Sequence, residues 1–118
     1  MGVNLVRRRA QVSYKDGFEV LQGTPGSVRP DFTTDEGVAV EVKNYDIETN
    51  SAALIRTIAE QTLERTTHLP ENMVQNVIIY IRGQTVSQDQ KSYITERLIS
   101  RTEGVLQSNL ITFKGPVE

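Results

Sequence analysis

The chain has 118 residues, no cysteine, a formal net charge of −2 and 37% hydrophobic residues. This length suits a single domain with a modest core, and the lack of cysteine excludes disulfide bonds, thiolate metal ligands and a cysteine nucleophile. The longest apolar run, residues 77–81, is too short to span a bilayer, and no apolar segment of a signal peptide follows the N-terminal arginines.

The N-terminal part of the chain predicts a β-hairpin followed by a loop. Residues 8–14 and 18–21 are strand-like, and Asp16-Gly17 between them is a strong hairpin signal. A helix containing residues 8–20 is the competing interpretation, which Gly17 disfavours because glycine destabilises a helix interior. Glycine, proline and serine in residues 23–27 then predict a loop.

Two strand-like segments follow, and each delivers a carboxylate. Asp31 opens the first, while Glu41 and Lys43 lie in the second, residues 38–45. Successive side chains of a strand point to opposite faces, so Glu41 and Lys43 share one face and three valines share the other. A loop at residues 35–37, with glycine where φ must be positive, predicts a hairpin whose register places Asp31 across from Glu41.

The predicted proximity of Asp31 and Glu41 calls for a nearby cation, because like charges directly opposite each other destabilise a sheet. Lys43 supplies part of the compensating positive charge, and we expect a divalent metal ion to supply the rest. We therefore expect Asp31 and Glu41 to hold a divalent metal ion. Mg²⁺ is the first choice, with Mn²⁺ or Zn²⁺ as alternatives.

A long helix is predicted after these strands. Thr49 or Asn50 caps it, and Leu69-Pro70 ends it after about residue 67. Its apolar residues recur at helical spacing and form one stripe, comprising Leu54, Ile55, Ile58, Ala59 and Leu63. Gln61 and Arg65 lie one turn apart at the edge of that stripe, where they point along the boundary of the core.

The last third of the chain predicts a strand, a helix and a final strand. Residues 74–82 are apolar and β-branched over most of their length, which predicts a strand buried on both faces and central in a sheet. The next helix begins at Val86-Ser87 and ends near Gly104. Its apolar side comprises Tyr93, Ile94, Leu98 and Ile99. With a last strand at 109–113, the order of elements predicts an α/β (mixed α+β) fold with a single mixed central sheet flanked by helices.

The residues around the two acids resemble the PD-(D/E)XK nuclease superfamily. Pro30-Asp31 matches its proline–aspartate element, and Glu41-Val42-Lys43 matches its acid-x-lysine element. The resemblance implies a restriction-endonuclease-like core and a metal-dependent endonuclease. It further implies that Asp31 and Glu41 hold one or two metal ions, while Lys43 positions or helps activate the attacking water.

Two further positions of the superfamily pattern bear on the site. The helix after the acid-x-lysine strand often carries a glutamine with a polar residue four positions on, which matches Gln61 and Arg65 and implies that they order the site or hold a phosphate. A half-exposed helix edge without a special role is the alternative. The further N-terminal acid of many members has no counterpart before Asp16. Glu19 is the best candidate, with a plain exposed strand residue as the alternative.

A longer set of matches resembles the C-terminal toxin domains of bacterial polymorphic toxins, including contact-dependent growth-inhibition effectors. The matches comprise residues 26–32, 41–45 and 79–84. They imply that residues 1–118 form one nuclease toxin domain, the C-terminal fragment of a larger secreted or surface-delivered effector. Such a domain hydrolyses transfer RNA or DNA in the cytoplasm of a competing bacterium and is neutralised by a cognate immunity protein. Candidate cationic contacts for that partner are Arg7, Arg8, Arg9, Arg29, Arg65 and Arg82.

Two other functions stay open. One is a non-catalytic module on the same fold that binds nucleic acid or protein, although an inactive copy has no reason to keep like charges face to face. The other is a cellular DNA-processing endonuclease, although no DNA-reading domain accompanies the site. The net negative charge is unusual for a protein that binds a polyanion. The single histidine, His68, excludes a two-histidine ribonuclease mechanism and suits the C-terminus of a helix.

Overall fold

The computed structural model describes residues 8–115. Its strands are β1 (Arg8–Ala10), β2 (Ser13–Lys15), β3 (Phe18–Val20), β4 (Phe32–Thr34), β5 (Val38–Asn44), β6 (Val74–Tyr80) and β7 (Ile111–Lys114). Its helices are α1 (Ile47–His68) and α2 (Gln88–Arg101), and a 3₁₀ turn covers Ser108–Leu110. Five strands form one mixed sheet in the order β1-β4-β5-β6-β7, while β2 and β3 form a separate two-stranded sheet. The predicted fold class, a mixed sheet flanked by helices, is confirmed.

The first predicted hairpin is present at residues 13–20. Asp16 and Gly17 form its two-residue turn with φ angles of 51° and 89°, the combination that a type I′ turn requires. The strand predicted before this turn is divided at Gln11, which has a φ of 52°. As a result, Arg8–Ala10 pairs with β4 in the large sheet and only Ser13–Lys15 belongs to the hairpin.

The second predicted hairpin joins β4 and β5. These strands are antiparallel, with Phe32 opposite Val40 and Thr33 opposite Ala39. Gly37 lies in the connection at a φ of 84°, which glycine adopts without strain. Continuing the register by one residue places Asp31 opposite Glu41, as the sequence predicts.

β5, α1 and β6 form a βαβ unit in which the two strands are parallel. α1 begins at Ile47, earlier than predicted, because Asp46 caps it by accepting a backbone N–H of its first turn. The predicted caps, Thr49 and Asn50, lie inside the helix, where Asn50 has the non-helical angles φ −126° and ψ 21°. The helix ends at Leu69, as predicted.

Both helices pack against one face of the sheet, the face that carries Val77 and Ile79. The core there comprises Ile47, Leu54, Ile55, Ile58, Val77, Ile79, Ile81, Ile94, Leu98, Leu106 and Ile111. In the register of β5 with β6, Glu41 lies beside Val77 and Lys43 beside Ile79. The polar face of β5 is therefore turned toward α1, and the charged residues border the apolar core.

A smaller apolar cluster covers the same face at its other side. It consists of Tyr14 of the hairpin, Val28, Ala39 of β5 and Leu69 at the end of α1. Tyr14 and Val28 also exchange two backbone hydrogen bonds of 2.8 and 2.9 Å. Val28, three residues before Asp31, is thus packed with residues of the hairpin, of β5 and of the end of α1.

α2 begins as predicted at Ser87. Its hydroxyl accepts the backbone N–H of Gln90 at 3.1 Å, and the Gln90 side chain accepts the N–H of Ser87 at 2.8 Å, which forms a capping box. After the helix, Gly104 adopts a φ of 82° and donates its N–H to Ile99. Within residues 8–115, no helix combines the length and hydrophobicity that crossing a membrane requires.

Three predictions of burial are wrong. Leu63 and Tyr93, expected on the apolar sides of their helices, are 38% and 56% exposed. The buried arc of α1 continues instead through two polar residues, Thr62 and Arg65, which bond to the sheet. β6 is an interior strand, as predicted, but Ile78 on its second face is only half-buried, because both helices pack on the opposite face.

The two leucines of α1 test this packing. Leu54→Ala is expected to lower the free energy of unfolding by about 2–5 kcal/mol, because it empties a fully buried position. Leu63→Ala is the matched control on the same helix and is expected to stay within about 0.5 kcal/mol of the parent. Urea denaturation of both variants measures the difference, and equal losses would contradict the described orientation of α1.

Candidate active site

The Glu41 carboxylate is the centre of a charged cluster between β5 and α1. Its Oε1 accepts a hydrogen bond from Arg65 Nη1 at 2.7 Å, and its Oε2 lies 3.1 Å from Lys43 Nζ. The side chains of Glu41, Lys43 and Arg65 are 12%, 13% and 10% exposed. Charged groups so far removed from water need a partner, and here the three side chains supply one another.

Backbone and side-chain hydrogen bonds fix Arg65 over β5. Its carbonyl accepts the N–H of Leu69 at 2.8 Å, which closes the last turn of α1. One turn earlier along the helix, the buried Gln75 side chain of β6 donates to the carbonyl of Thr62 at 3.1 Å. The helix is thus tied to the sheet beside Arg65, and the guanidinium points at Glu41.

Asp31 adjoins this cluster from the β4 side. Its Oδ2 accepts the backbone N–H of Val42 at 2.7 Å, between the two charged residues of β5. Within residues 8–115, Oδ1 accepts no hydrogen bond. Pro30 before it is fully buried and restricts the backbone at the entry to the strand. Asp31 therefore has one oxygen fixed by the sheet and one open for another partner.

Gln61 contributes an unused acceptor. It lies one helical turn before Arg65 and on the same side of α1. Its Oε1 is buried and has no hydrogen-bond partner in the part of the chain that the structure describes. A buried acceptor without a donor costs free energy, so a donor from water or a ligand would stabilise this position.

Four of the five residues that the sequence singles out have contacts around β5, while Gln61 lies on the adjoining side of α1, and the charge balance differs from the expected one. Glu41, Lys43 and Arg65 are in direct contact, and Asp31 joins through the backbone of Val42. The sequence predicts that a metal ion supplies the missing positive charge. In the structure Arg65 supplies it, so two carboxylates face two protein cations and like-charge repulsion alone no longer requires a metal.

The donor set nevertheless fits a hard divalent cation. A carboxylate has about four lone-pair sites, and each oxygen of Glu41 meets a single cation while one oxygen of Asp31 is open. Within residues 8–115, no three His, Cys, Asp or Glu side chains are grouped to hold a metal. An ion held by Asp31 and Glu41 would therefore complete its coordination with water or substrate oxygens, as Mg²⁺ usually does.

The secondary candidates Glu19 and His68 have other partners. Arg9 donates two hydrogen bonds of 3.0 and 2.8 Å to the Glu19 carboxylate. These bonds lower the pKa of Glu19 and raise the pKa of Arg9. His68 Nδ1 accepts the backbone N–H of Asp16 at 3.3 Å and so attaches the hairpin turn to the end of α1. Both residues have structural contacts, and Glu19 has no oxygen left without a partner.

Gln84 lies in the toxin-like segment 79–84, but the sequence did not predict its structural role at the site. Its Oε1 accepts the N–H of Ile47 at 2.6 Å, and its Nε2 donates to the carbonyl of Tyr45 at 2.7 Å. These bonds fix the chain where β5 passes into α1. The neighbouring Gly83 has a φ of 76°, which fits a bend after β6. No local sequence pattern links this bend to Tyr45 and Ile47, which lie almost forty residues earlier in the chain.

No protein-family model, curated protein or solved structure was found to match the chain. The superfamily resemblance therefore stays a proposal.

The Arg65–Glu41 contact can be tested through stability. Arg65→Met is expected to lower the free energy of unfolding by about 1–3 kcal/mol, because Glu41 keeps only one cation in a site with little water. Arg56→Met, at an exposed position of the same helix, is the control and should change stability by less than about 0.5 kcal/mol. Urea denaturation gives both values.

A double-mutant cycle with Glu41→Gln separates the pair from its surroundings. The loss caused by Arg65→Met should shrink by more than about 0.5 kcal/mol when Glu41 is already neutral. A fully additive cycle would contradict a direct contact between these two side chains.

Proposed function

We propose that the chain is a metal-dependent nuclease that hydrolyses phosphodiester bonds, with Asp31, Glu41 and Lys43 as its catalytic residues. The observation that carries this proposal is the placement of both acids and the lysine around one strand, with Lys43 Nζ 3.1 Å from the Glu41 carboxylate. Asp31 opens the neighbouring antiparallel strand and bonds to the peptide between the other two residues. This is the arrangement that the PD-(D/E)XK resemblance implies.

Each residue of the cluster has a distinct proposed role. Asp31 and Glu41 hold the divalent ion, most simply Mg²⁺. When bound, such an ion lowers the pKa of a coordinated water and neutralises charge on the phosphate. Lys43 donates to the phosphate oxygen on which negative charge grows, and its compact ammonium with three donors suits that task. Gln61 offers its unpaired Oε1 as an acceptor that orients the attacking water.

Stability alone gives no reason for this cluster. Replacing a buried ion pair with apolar side chains of similar volume is often neutral or stabilising. Glu41 and Lys43 lie beside Val77 and Ile79, and both of these core residues are nearly fully buried, so apolar residues would fit the same surroundings. The charges at the border of the core therefore point to a functional requirement.

The proposed substrate is a nucleic acid, either transfer RNA or DNA, and the proposed setting is a toxin domain within a larger secreted effector. Three segments resemble polymorphic toxins, namely residues 26–32, 41–45 and 79–84. They contain Asp31, Glu41 with Lys43, and Gln84, whose side chain bonds to the start of α1. The domain would act in the cytoplasm of a competing bacterium, and a cognate immunity protein would protect the producing cell.

The charge balance at Glu41 favours one alternative, a non-catalytic module that binds nucleic acid or protein. Arg65 and Lys43 already engage both oxygens of Glu41, so the cluster is balanced without a metal ion. Such a module would bind its partner equally well in EDTA and would leave it uncleaved. A cellular DNA-processing endonuclease, by contrast, would share the active site and differ only in its substrate.

Cleavage assays with plasmid, duplex DNA and total transfer RNA test the catalytic proposal. Cleavage is expected with Mg²⁺ and should stop with EDTA. Lys43→Ala is expected to reduce the rate about 10²- to 10³-fold, because one electrostatic stabiliser is lost. Lys114→Ala and Asp35→Asn, both at exposed positions, are matched controls that should keep full activity.

Circular dichroism establishes that each variant is folded. Full activity of a folded Lys43→Ala protein would remove the lysine from the mechanism. Binding without cleavage in Mg²⁺ and in Mn²⁺ would favour the non-catalytic module.

Expression in a bacterial cytoplasm tests the toxin proposal. The parent domain is expected to arrest growth, whereas Asp31→Asn should be tolerated because a metal ligand is lost. Co-expression of the small reading frame adjacent to the natural gene should restore growth. Among the candidate contacts for an immunity protein, Arg29 and Arg82 are exposed and Arg65 is buried, while Arg7 lies outside the described residues. Healthy growth with a high yield of the folded parent would contradict the toxin proposal.

A further inference from the structure

Arg65 occupies a place on Glu41 that a metal ion would need. Its Nη1 lies 2.7 Å from Oε1, and Lys43 engages Oε2 at 3.1 Å. Asp31, the other proposed ligand, has one oxygen that accepts no hydrogen bond from residues 8–115. The two acids therefore differ in their access to a metal ion, because Asp31 can accept a cation and Glu41 already contacts two.

Electrostatics makes it unfavourable for Arg65 and a divalent ion to share this place. Two carboxylates and two cations balance in the cluster as described, and an incoming ion would add two positive charges to side chains that are only 10–13% exposed. Charges repel strongly where little water screens them. A guanidinium stays protonated in proteins, so Arg65 cannot relieve the repulsion by losing a proton and has to move.

The structure offers space for that movement. A cleft of about 330 Å³ lies beside Arg65, and its lining includes Thr66, Met73, Gln75, Glu71 and Val105. Glu71 is one of the residues that line this cleft, and a carboxylate can accept hydrogen bonds from a displaced guanidinium. The backbone of Arg65 is held by the hydrogen bond from the N–H of Leu69. Movement of the guanidinium from Glu41 into the cleft would therefore be a rotation of the side chain alone.

We infer that Arg65 is an exchangeable counter-ion, which holds the Glu41 carboxylate in the metal-free protein and leaves it when a divalent cation binds. This inference rests on the proposed function, because it requires Asp31 and Glu41 to be metal ligands. Arg65 is then a positioning residue that keeps the metal-free site intact and opposes the metal. Exchange turns a balanced cluster into a positive one, which favours an anionic phosphodiester only after the metal has bound.

Metal titration of the whole domain tests the exchange. Arg65→Gln removes the competing charge, so its affinity for Mn²⁺ by calorimetry should rise about 10- to 100-fold, the equivalent of one lost charged hydrogen bond. Arg65→Lys keeps a cation and should bind close to the parent, as should Arg56→Gln, the exposed control. An unchanged or weaker affinity of Arg65→Gln would overturn the inference.

Side-chain NMR provides a second readout, and its main comparison, with and without Mg²⁺, uses only the unmutated domain. The Nε–Hε signal of Arg65 should shift when Mg²⁺ is added, whereas that of Arg56 should not. In Glu41→Gln the Arg65 signal should resemble the Mg²⁺-bound one without any metal. Metal binding with an unmoved Arg65 signal would overturn the exchange and leave the nuclease proposal standing. Absence of Mg²⁺ and Mn²⁺ binding by the parent would instead overturn the metal site itself.

Discussion

The candidate site depends on how one carboxylate is held between a strand and a helix. Glu41 of β5 meets Lys43 of its own strand and Arg65 of α1 at 3.1 and 2.7 Å. This contact lies on the face of β5 that is turned toward α1, and it explains why the buried arc of the helix continues through a polar residue. The three charges lie at the border of the apolar core. Removal of one of them would leave a remaining charge with little water and without its full set of partners, which costs free energy.

Short sequence motifs correctly predicted the turns, the strand registers and the helix start around this contact. Asp16-Gly17 and Gly37 specified two turns, and each turn set the register of its hairpin. The position of Asp31 across from Glu41 follows directly from the second of these registers. Ser87 likewise specified the start of α2 through hydrogen bonds within four residues. These elements were predictable because short segments determine them.

The features that the sequence did not reveal depend on contacts between distant segments. Periodicity divided β5 into a polar and an apolar face, but it could not tell which face α1 covers. Arg65 could be placed at the edge of a helical stripe, whereas its partnership with Glu41 depends on how α1 lies across the sheet. Leu63 completed the apolar pattern and is still exposed, since Thr62 and Arg65 bond to the sheet. The structural role of Gln84 was not predicted for the same reason, because its hydrogen-bond partners lie in a distant segment of the chain.

A crystal structure of the domain grown with Mn²⁺ tests the central claim most directly, because the anomalous signal locates the ion independently of any activity. We expect one ion bound by oxygens of both Asp31 and Glu41 at about 2.0–2.3 Å, with the Arg65 guanidinium no longer on Glu41. A structure at saturating Mn²⁺ with no ion between these carboxylates, and with Arg65 still bonded to Glu41, would contradict it.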